Sequence, residues 1–318
     1  LTTKEDTMFQ AKQLVFYTCV SPVHMGAGQA VGAIDNPIQR EVHTGHPLIA
    51  GSGLKGAVRH HFARTWADKD LIKRIFGPDR DASEHAGAIA FTDAALVAFP
   101  VRSLRNTFVY ATCPTALARL KRLAGDQAAW SVPQVGVGSV KSASSGPVSA
   151  VVNDRLILEA FDFAATEDPA VKAIATWLAT HALPPGDEHT FFRDKLKADL
   201  MVLSDTEFDH FVHHATVVEA HVRIDDDTGT AAKGALFYTE NLPPESLLAG
   251  LVLASVERTK AKDANDLKDA RWILDTVLQD GTGEDQARHG LADRLLQVGG
   301  DATTGRGLIV VHITGKVA

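Results

Sequence analysis

His24 and Asp35 flank a glycine-rich loop that carries Gly26, Gly28 and Gly32. Beside a bound phosphate, an imidazole or a carboxylate serves as general base, general acid or metal ligand. The plainer alternatives are an Asx turn for the acid of Asp35-Asn36-Pro37, and simple packing or solvation for the histidine. A second glycine loop, Gly51-Ser52-Gly53, runs into a stretch with Leu54, Ala57, Val58, Phe62 and Trp66 on one helical face. Ser52 is the expected N-cap. Lys55 stands where a capping box would place Glu or Gln. A cation there opposes the helix dipole by roughly 0.3–1 kcal/mol unless an anion sits beside it. Lys55 and Arg59 are four apart and share a face. Glycines, free N–H groups and two cations together suit a phosphate, with an ordinary solvated helix as the alternative.

Near the end of the chain, Gly299-Gly300-Asp301-Ala302-Thr303-Thr304-Gly305-Arg306-Gly307 offers the same chemistry. Its glycines let backbone approach a ligand, its threonines donate hydrogen bonds, and Arg306 can fork onto a phosphate. Other constellations carry less. Gly26-x-Gly28-x3-Gly32 is a weak match to a dinucleotide fingerprint, and Pro37 arrives before a helix can form. His210, His213 and His214 read as an exposed helix face. Cys19 and Cys113 form no metal or disulfide framework and fit a reducing compartment.

These residues need elements to hold them. The chain has 318 residues, 45% hydrophobic and 22% charged, with a net charge of −7. That is long enough for a sizeable core, and too acidic for a general nucleic-acid binder without a local basic groove. No apolar run reaches bilayer length, so the expected location is the cytoplasm. Strands are expected over 12–20, 87–91, 96–101, 107–112, 156–163, 216–224, 235–240, 247–256 and 308–313. Helices are expected over 52–66, 70–76, 114–124, 169–181, 191–214, 263–278 and 290–297. Segments 1–11, 80–86 and 131–150 read as loops. Strands and helices mix without a βαβ alternation, so the fold class is α+β.

Three segments carry a resemblance: PVHMGAGQAVGAIDNPIQRE (22–41), GSGLKGAVRHHF (51–62) and GGDATTGRG (299–307). They resemble the RAMP superfamily of CRISPR systems, and most closely the backbone subunit of the type III-B Cmr effector complex. FTDAALVAFPVRS (91–103) and RIDDDTGTAAKGALFYTENLP (223–243) extend the likeness over nearly the whole chain. The resemblance implies a single domain over 1–318. It would have an RRM-like (ferredoxin-like) palm, helical fingers insertions near 52–86 and 165–215, and a protruding thumb hairpin near 222–237. The palm would use the strands near 12–20, 87–101, 247–256 and 308–313.

It also implies an activity. Copies of such a subunit stack head to tail along a CRISPR guide RNA, among other Cmr subunits. Each cuts the paired single-stranded target RNA at a regular interval with a divalent metal, Mg2+ or Mn2+. Asp35 matches the key acid, as base toward the RNA 2′-hydroxyl or as metal ligand, with His24 next and Tyr238 and Glu240 as outer candidates. Guide contacts would fall to Arg40, Ser52, Gly53, Lys55, Arg59, Gly299, Gly300, Thr303, Thr304 and Arg306. Two other readings compete: a filament scaffold that binds without cutting, and a metal-independent endonuclease that matures guide RNA.

Overall fold

A computed structural model describes residues 8–28, 34–78, 85–145, 149–232, 234–259 and 267–314. Gly32, residues 80–84 of the polar loop and the start of the helix expected from Asp263 lie outside them. Strand β1 (Ala11–Cys19) is buried at every position but one. A strand covered on both faces has no polar side to show, hence the apolar run Leu14–Tyr17 at its centre. Then come β2 (Leu48–Ile49), α1 (Gly51–Thr65), α2 (Lys69–Phe76), β3 (Ile89–Phe91), β4 (Ala94–Arg102), β5 (Phe108–Thr112) and α3 (Pro114–Ala124). The middle of the chain forms β6 (Ser139–Ser142), β7 (Arg155–Leu158), β8 (Phe161–Glu167), α4 (Pro169–His181), α5 (Thr190–Asp199), β9 (Leu200–Val202) and α6 (Asp205–His214). A hairpin of β10 (Val217–His221) and β11 (Phe237–Asn241) precedes β12 (Leu247–Ala254), α7 (Ala270–Leu278), β13 (Arg294–Gln297) and β14 (Leu308–Ile313).

The palm is β14, β1, β12 and the β3–β4 pair, in that spatial order and antiparallel throughout. α1 connects the first of these strands in sequence to the second, and α7 connects the third to the fourth. A βαββαβ chain in spatial order 4-1-3-2 is the ferredoxin-like, RRM-like arrangement, so the fold is α+β as expected. Alternate side chains of β1 go to opposite faces. Val15, Tyr17 and Cys19 pack under α1 and α7 with Leu54, Val58, Phe62, Ile273 and Val277. Leu14 and Phe16 pack on the other face with Leu117 and Leu120 of α3 and Ile174 and Leu178 of α4. An isolated RRM uses that second face to stack bases. Here it is buried under α3 and α4 and offers no such surface.

Several expectations change. The cap of α1 comes two residues early: its N-cap is Ala50, and Gly51 N–H donates to Asp93 Oδ1 at 2.8 Å, so Ser52 is not the cap. Gly51 is required there, because a Cβ would stand 2.2 Å from Phe91 O. The segment 131–150 contains β6, which is held between β8 and β9 by its neighbours rather than by its own propensity. The strand expected over 156–163 is a hairpin, turned at Glu159 with φ 50°. The helical stretch 191–214 is split by β9, whose three residues are buried beside β5. Residues 290–297 yield no helix, because Arg294–Gln297 pair along β14.

No helix among the described residues is long and apolar enough to cross a membrane.

Candidate functional site

A strand's free edge carries N–H and C=O groups that need partners. β11 pairs with β10 on one side. Its other side is filled by the loops from the start of the chain. Tyr238 N–H donates to Asp35 Oδ2 at 2.8 Å. Asn36 N–H donates to Tyr238 O at 3.0 Å, and Glu240 N–H to Asn36 O at 2.9 Å. His24 Nδ1 bonds Glu240 O at 2.8 Å, and Leu242 exchanges both backbone bonds with Val23. The carboxylate of Asp35 thus stands in for a backbone carbonyl, and the imidazole of His24 for a backbone N–H. The acid bonds a strand reached from far along the chain, and no Asx-turn bond to its own backbone forms among the described residues.

This anchoring fixes what each group has left. A carbonyl only accepts, so Nδ1 of His24 is the donor, and the neutral ring carries its lone pair on Nε2. Gly26 keeps that nitrogen approachable, since a Cβ there would lie 3.0 Å from it. Asp35 is exposed, and its Oδ1 has no partner among the described residues. The two anchors are two residues apart on β11, roughly 6–7 Å along the strand. Tyr238, the first of them, is 39% exposed, and buried Thr239 lies between the two.

Glu240 is placed differently from the expectation. It is 3% exposed. Its Oε1 accepts from Arg40 Nη2 at 2.5 Å and Thr216 Oγ1 at 2.9 Å, and its Oε2 from Ile38 N–H at 3.1 Å. Arg40 also donates to Gly45 O and Val212 O at 2.9 Å each. Glu240 therefore holds the register of the Asp35 segment, and Arg40 is occupied inside the protein.

The three motif segments meet around Met25. A Cβ on Gly53 would lie 2.7 Å from Met25 Cε, and one on Gly299 would lie 3.1 Å from Met25 Sδ and 2.2 Å from His24 O. Gly300 N–H donates to His24 O at 3.0 Å. At the start of α1, the N–H groups of Ser52 and Gly53 have no intrahelical acceptor by geometry. Lys55 is half-buried, and no carboxylate among the described residues pairs with it. Burial, with Arg59 and Arg258 nearby, pushes its ammonium below the ordinary value. Arg258 carries no sequence signal that would have picked it out. Arg59 donates to Gly77 O at 2.9 Å.

In the 299–307 loop, Thr303 is exposed and Thr304 Oγ1 donates to Asp301 O at 2.8 Å. Arg306 does not stand free: its Nε and Nη2 donate to Glu219 of β10 at 3.1 and 2.6 Å. Beyond β10 and β11 the hairpin extends to a tip at Asp225–Gly229. There Asp225 Oδ1 accepts the N–H groups of Asp227 and Thr228, and Gly229 takes φ 64°. Val218, Val222, Ile224, Leu236 and Phe237 leave this arm with exposed apolar side chains. Among the described residues, no group of three or more His, Cys, Asp or Glu side chains could hold a metal ion.

Residues 16–310 match the RAMP superfamily. The CRISPR system Cmr endoribonuclease Cmr4 of Pyrococcus furiosus is 32% identical over 311 residues, which cover 94% of this chain and 95% of that protein. The CRISPR system CMR subunit Cmr4 of Saccharolobus solfataricus is 22% identical over 325 residues, 93% of this chain and 97% of that protein. Among solved structures, oligomeric Cmr4 from Pyrococcus furiosus superposes with a TM-score of 0.68 at 25% identity, covering 96% of this chain and 98% of that one. A type III-B Cmr-beta complex bound to cognate target RNA contains a chain with a TM-score of 0.70 at 20% identity, covering 98% and 100%. At that identity the likeness speaks to the fold.

Proposed function

The chain belongs to the RAMP superfamily, and we propose that it is the backbone subunit of a type III-B CRISPR complex, an endoribonuclease that cuts RNA paired to a guide. The observation that carries this reading is the filled edge of β11. It presents one carboxylate oxygen of Asp35 and one imidazole nitrogen of His24 at the base of the thumb. The cationic start of α1 would hold guide backbone through Lys55, Arg59 and the amides of Ser52 and Gly53, with Gly299, Gly300, Thr303 and Thr304 alongside. Sequence would be read by base pairing, as in other RNA-guided effectors. Copies of the chain would stack head to tail, a heterologous contact that builds a filament. An oligomeric relative supports self-association.

In the proposed reaction the target's own 2′-hydroxyl attacks the adjacent phosphorus. Asp35 takes the hydroxyl proton, the bond to the 5′-oxygen breaks, and His24 Nε2, when protonated, returns a proton to that oxygen. The products are a 2′,3′-cyclic phosphate and a 5′-hydroxyl. Thumb and palm contribute by holding the linkage in line. In its alternative role Asp35 would hold Mg2+ or Mn2+ through the same free Oδ1 in place of taking the proton, with substrate phosphates and water completing a hard-cation shell. Such an ion, when bound, supplies charge neutralisation at the phosphate.

The test is cleavage of a guide-complementary RNA by the assembled complex, wild type against Asp35→Ala, with Mg2+ and with EDTA. Regularly spaced products should appear only with wild type and metal, the mutant losing about 10²-fold or more, with target affinity retained. Tight binding without products in wild type would make the subunit a scaffold.

A further inference from the structure

Arg306 ties the glycine-rich loop to the thumb. Its Nε and Nη2 donate to Glu219 Oε2 and Oε1 at 3.1 and 2.6 Å, while its Nη1 donates to Thr304 O at 3.1 Å. Asn241, fully buried, donates to the same Glu219 Oε2 at 3.2 Å. Gln297 Nε2 holds the Arg306 carbonyl at 2.6 Å. The loop is pinned elsewhere by Gly300 N–H on His24 O and by Gly307 N–H on Pro22 O at 2.8 Å. Glu219 lies opposite Thr239 in the hairpin, between the β11 residues that anchor Asp35 and His24. The contacts close a ring: β10 to Arg306, along the loop to His24, onto β11, and back to β10.

A two-stranded ribbon has little stability alone, and nothing within it sets its angle to the body it leaves. A bidentate arginine–carboxylate pair supplies that geometry. Being about a quarter exposed, it adds little to global stability. Its two charges cancel, which leaves the guanidinium poorly suited to a phosphate.

We propose that Arg306 and Glu219 form a positioning strut, which sets the thumb against Asp35 and His24 and so governs cleavage rather than guide affinity. This rests on the endoribonuclease reading above. The test compares Arg306→Gln, Glu219→Gln and the double variant with wild type in the assembled complex. The readouts are single-turnover cleavage, RNA affinity against salt, and amide exchange over residues 217–241 of the free protein. Both singles should slow cleavage roughly 10–100-fold. The double should be no slower than either single, and affinities should stay within about twofold. Exchange in the hairpin should rise in both singles, and this readout does not depend on cleavage, so it survives a failure of the nuclease reading. A phosphate-binding Arg306 gives opposite signs: Arg306→Gln weakens RNA binding and its salt slope, while Glu219→Gln frees the cation and strengthens binding. Opposite signs, or unchanged exchange, overturn the strut. If Arg306→Gln fails to fold, Glu219→Gln alone still decides through the sign of its effect.

Discussion

At the start of α1, Lys55 lies with Arg59 and Arg258 nearby and pairs with no carboxylate among the described residues. At the base of the thumb, Arg40 and Arg306 are each held by a glutamate, Glu240 and Glu219. In the first region Lys55, without a carboxylate partner among the described residues, is suited to an outside anion. The second has supplied its own anions and spends its cations on geometry. In a chain of net charge −7, the division matters, because an RNA backbone is attracted only where cations are left uncompensated. On the proposed reading, contact and positioning fall to different places, joined through Met25 and His24.

The sharpest way to break this comparison is Arg40→Ala. Glu240 would be left buried with its cation gone, which typically costs about 3–5 kcal/mol. Urea denaturation should show a loss of that order, with the slope of the transition unchanged. An Arg40→Ala protein of normal stability but reduced RNA affinity would return Arg40 to the guide-contact set. Lys55→Ala should do the reverse, leaving stability nearly untouched because no carboxylate is orphaned.

Lys55→Ala also gives the next largest effect. RNA affinity should fall, and the log–log salt slope should shrink by about 0.7, the value for one single-strand phosphate no longer neutralised. Arg306→Gln should leave that slope alone. Filter binding across a salt series measures both, and equal slopes for the two variants would erase the distinction between the regions.

Several elements were legible because they carry local signals. β1 and β14 are apolar runs, α3 and α4 begin at Pro114 and Pro169, and the thumb turns at Asp225–Gly229. The convergence of the three motif segments followed from resemblance and not from any local pattern. What stayed hidden were partners. Glu219 lies 87 residues from Arg306, and Glu240 lies 200 from Arg40. A side chain's type shows what it can bond, but only the fold shows what reaches it first. For the same reason β6, β9 and β13 were missed: each is short, and its neighbours supply the pairing that makes it a strand.

The smallest effect concerns the helix end itself. Asp93 Oδ1, not Ser52, takes the Gly51 N–H. Ser52→Ala should therefore change stability by no more than about 0.5 kcal/mol, as at an ordinary surface site. Asp93→Ala should cost about 1 kcal/mol, the usual worth of an N-cap side chain. On the proposed reading Ser52 is a donor beside the guide, so its loss should register in affinity and not in melting. Asp93→Ala removes a negative charge from the same helix end, so RNA binding should tighten slightly even as the fold weakens. Opposed signs for stability and affinity in one variant would confirm that protein and RNA share the positive end of α1. A fall in both would mean that Asp93 shapes the loop the RNA needs.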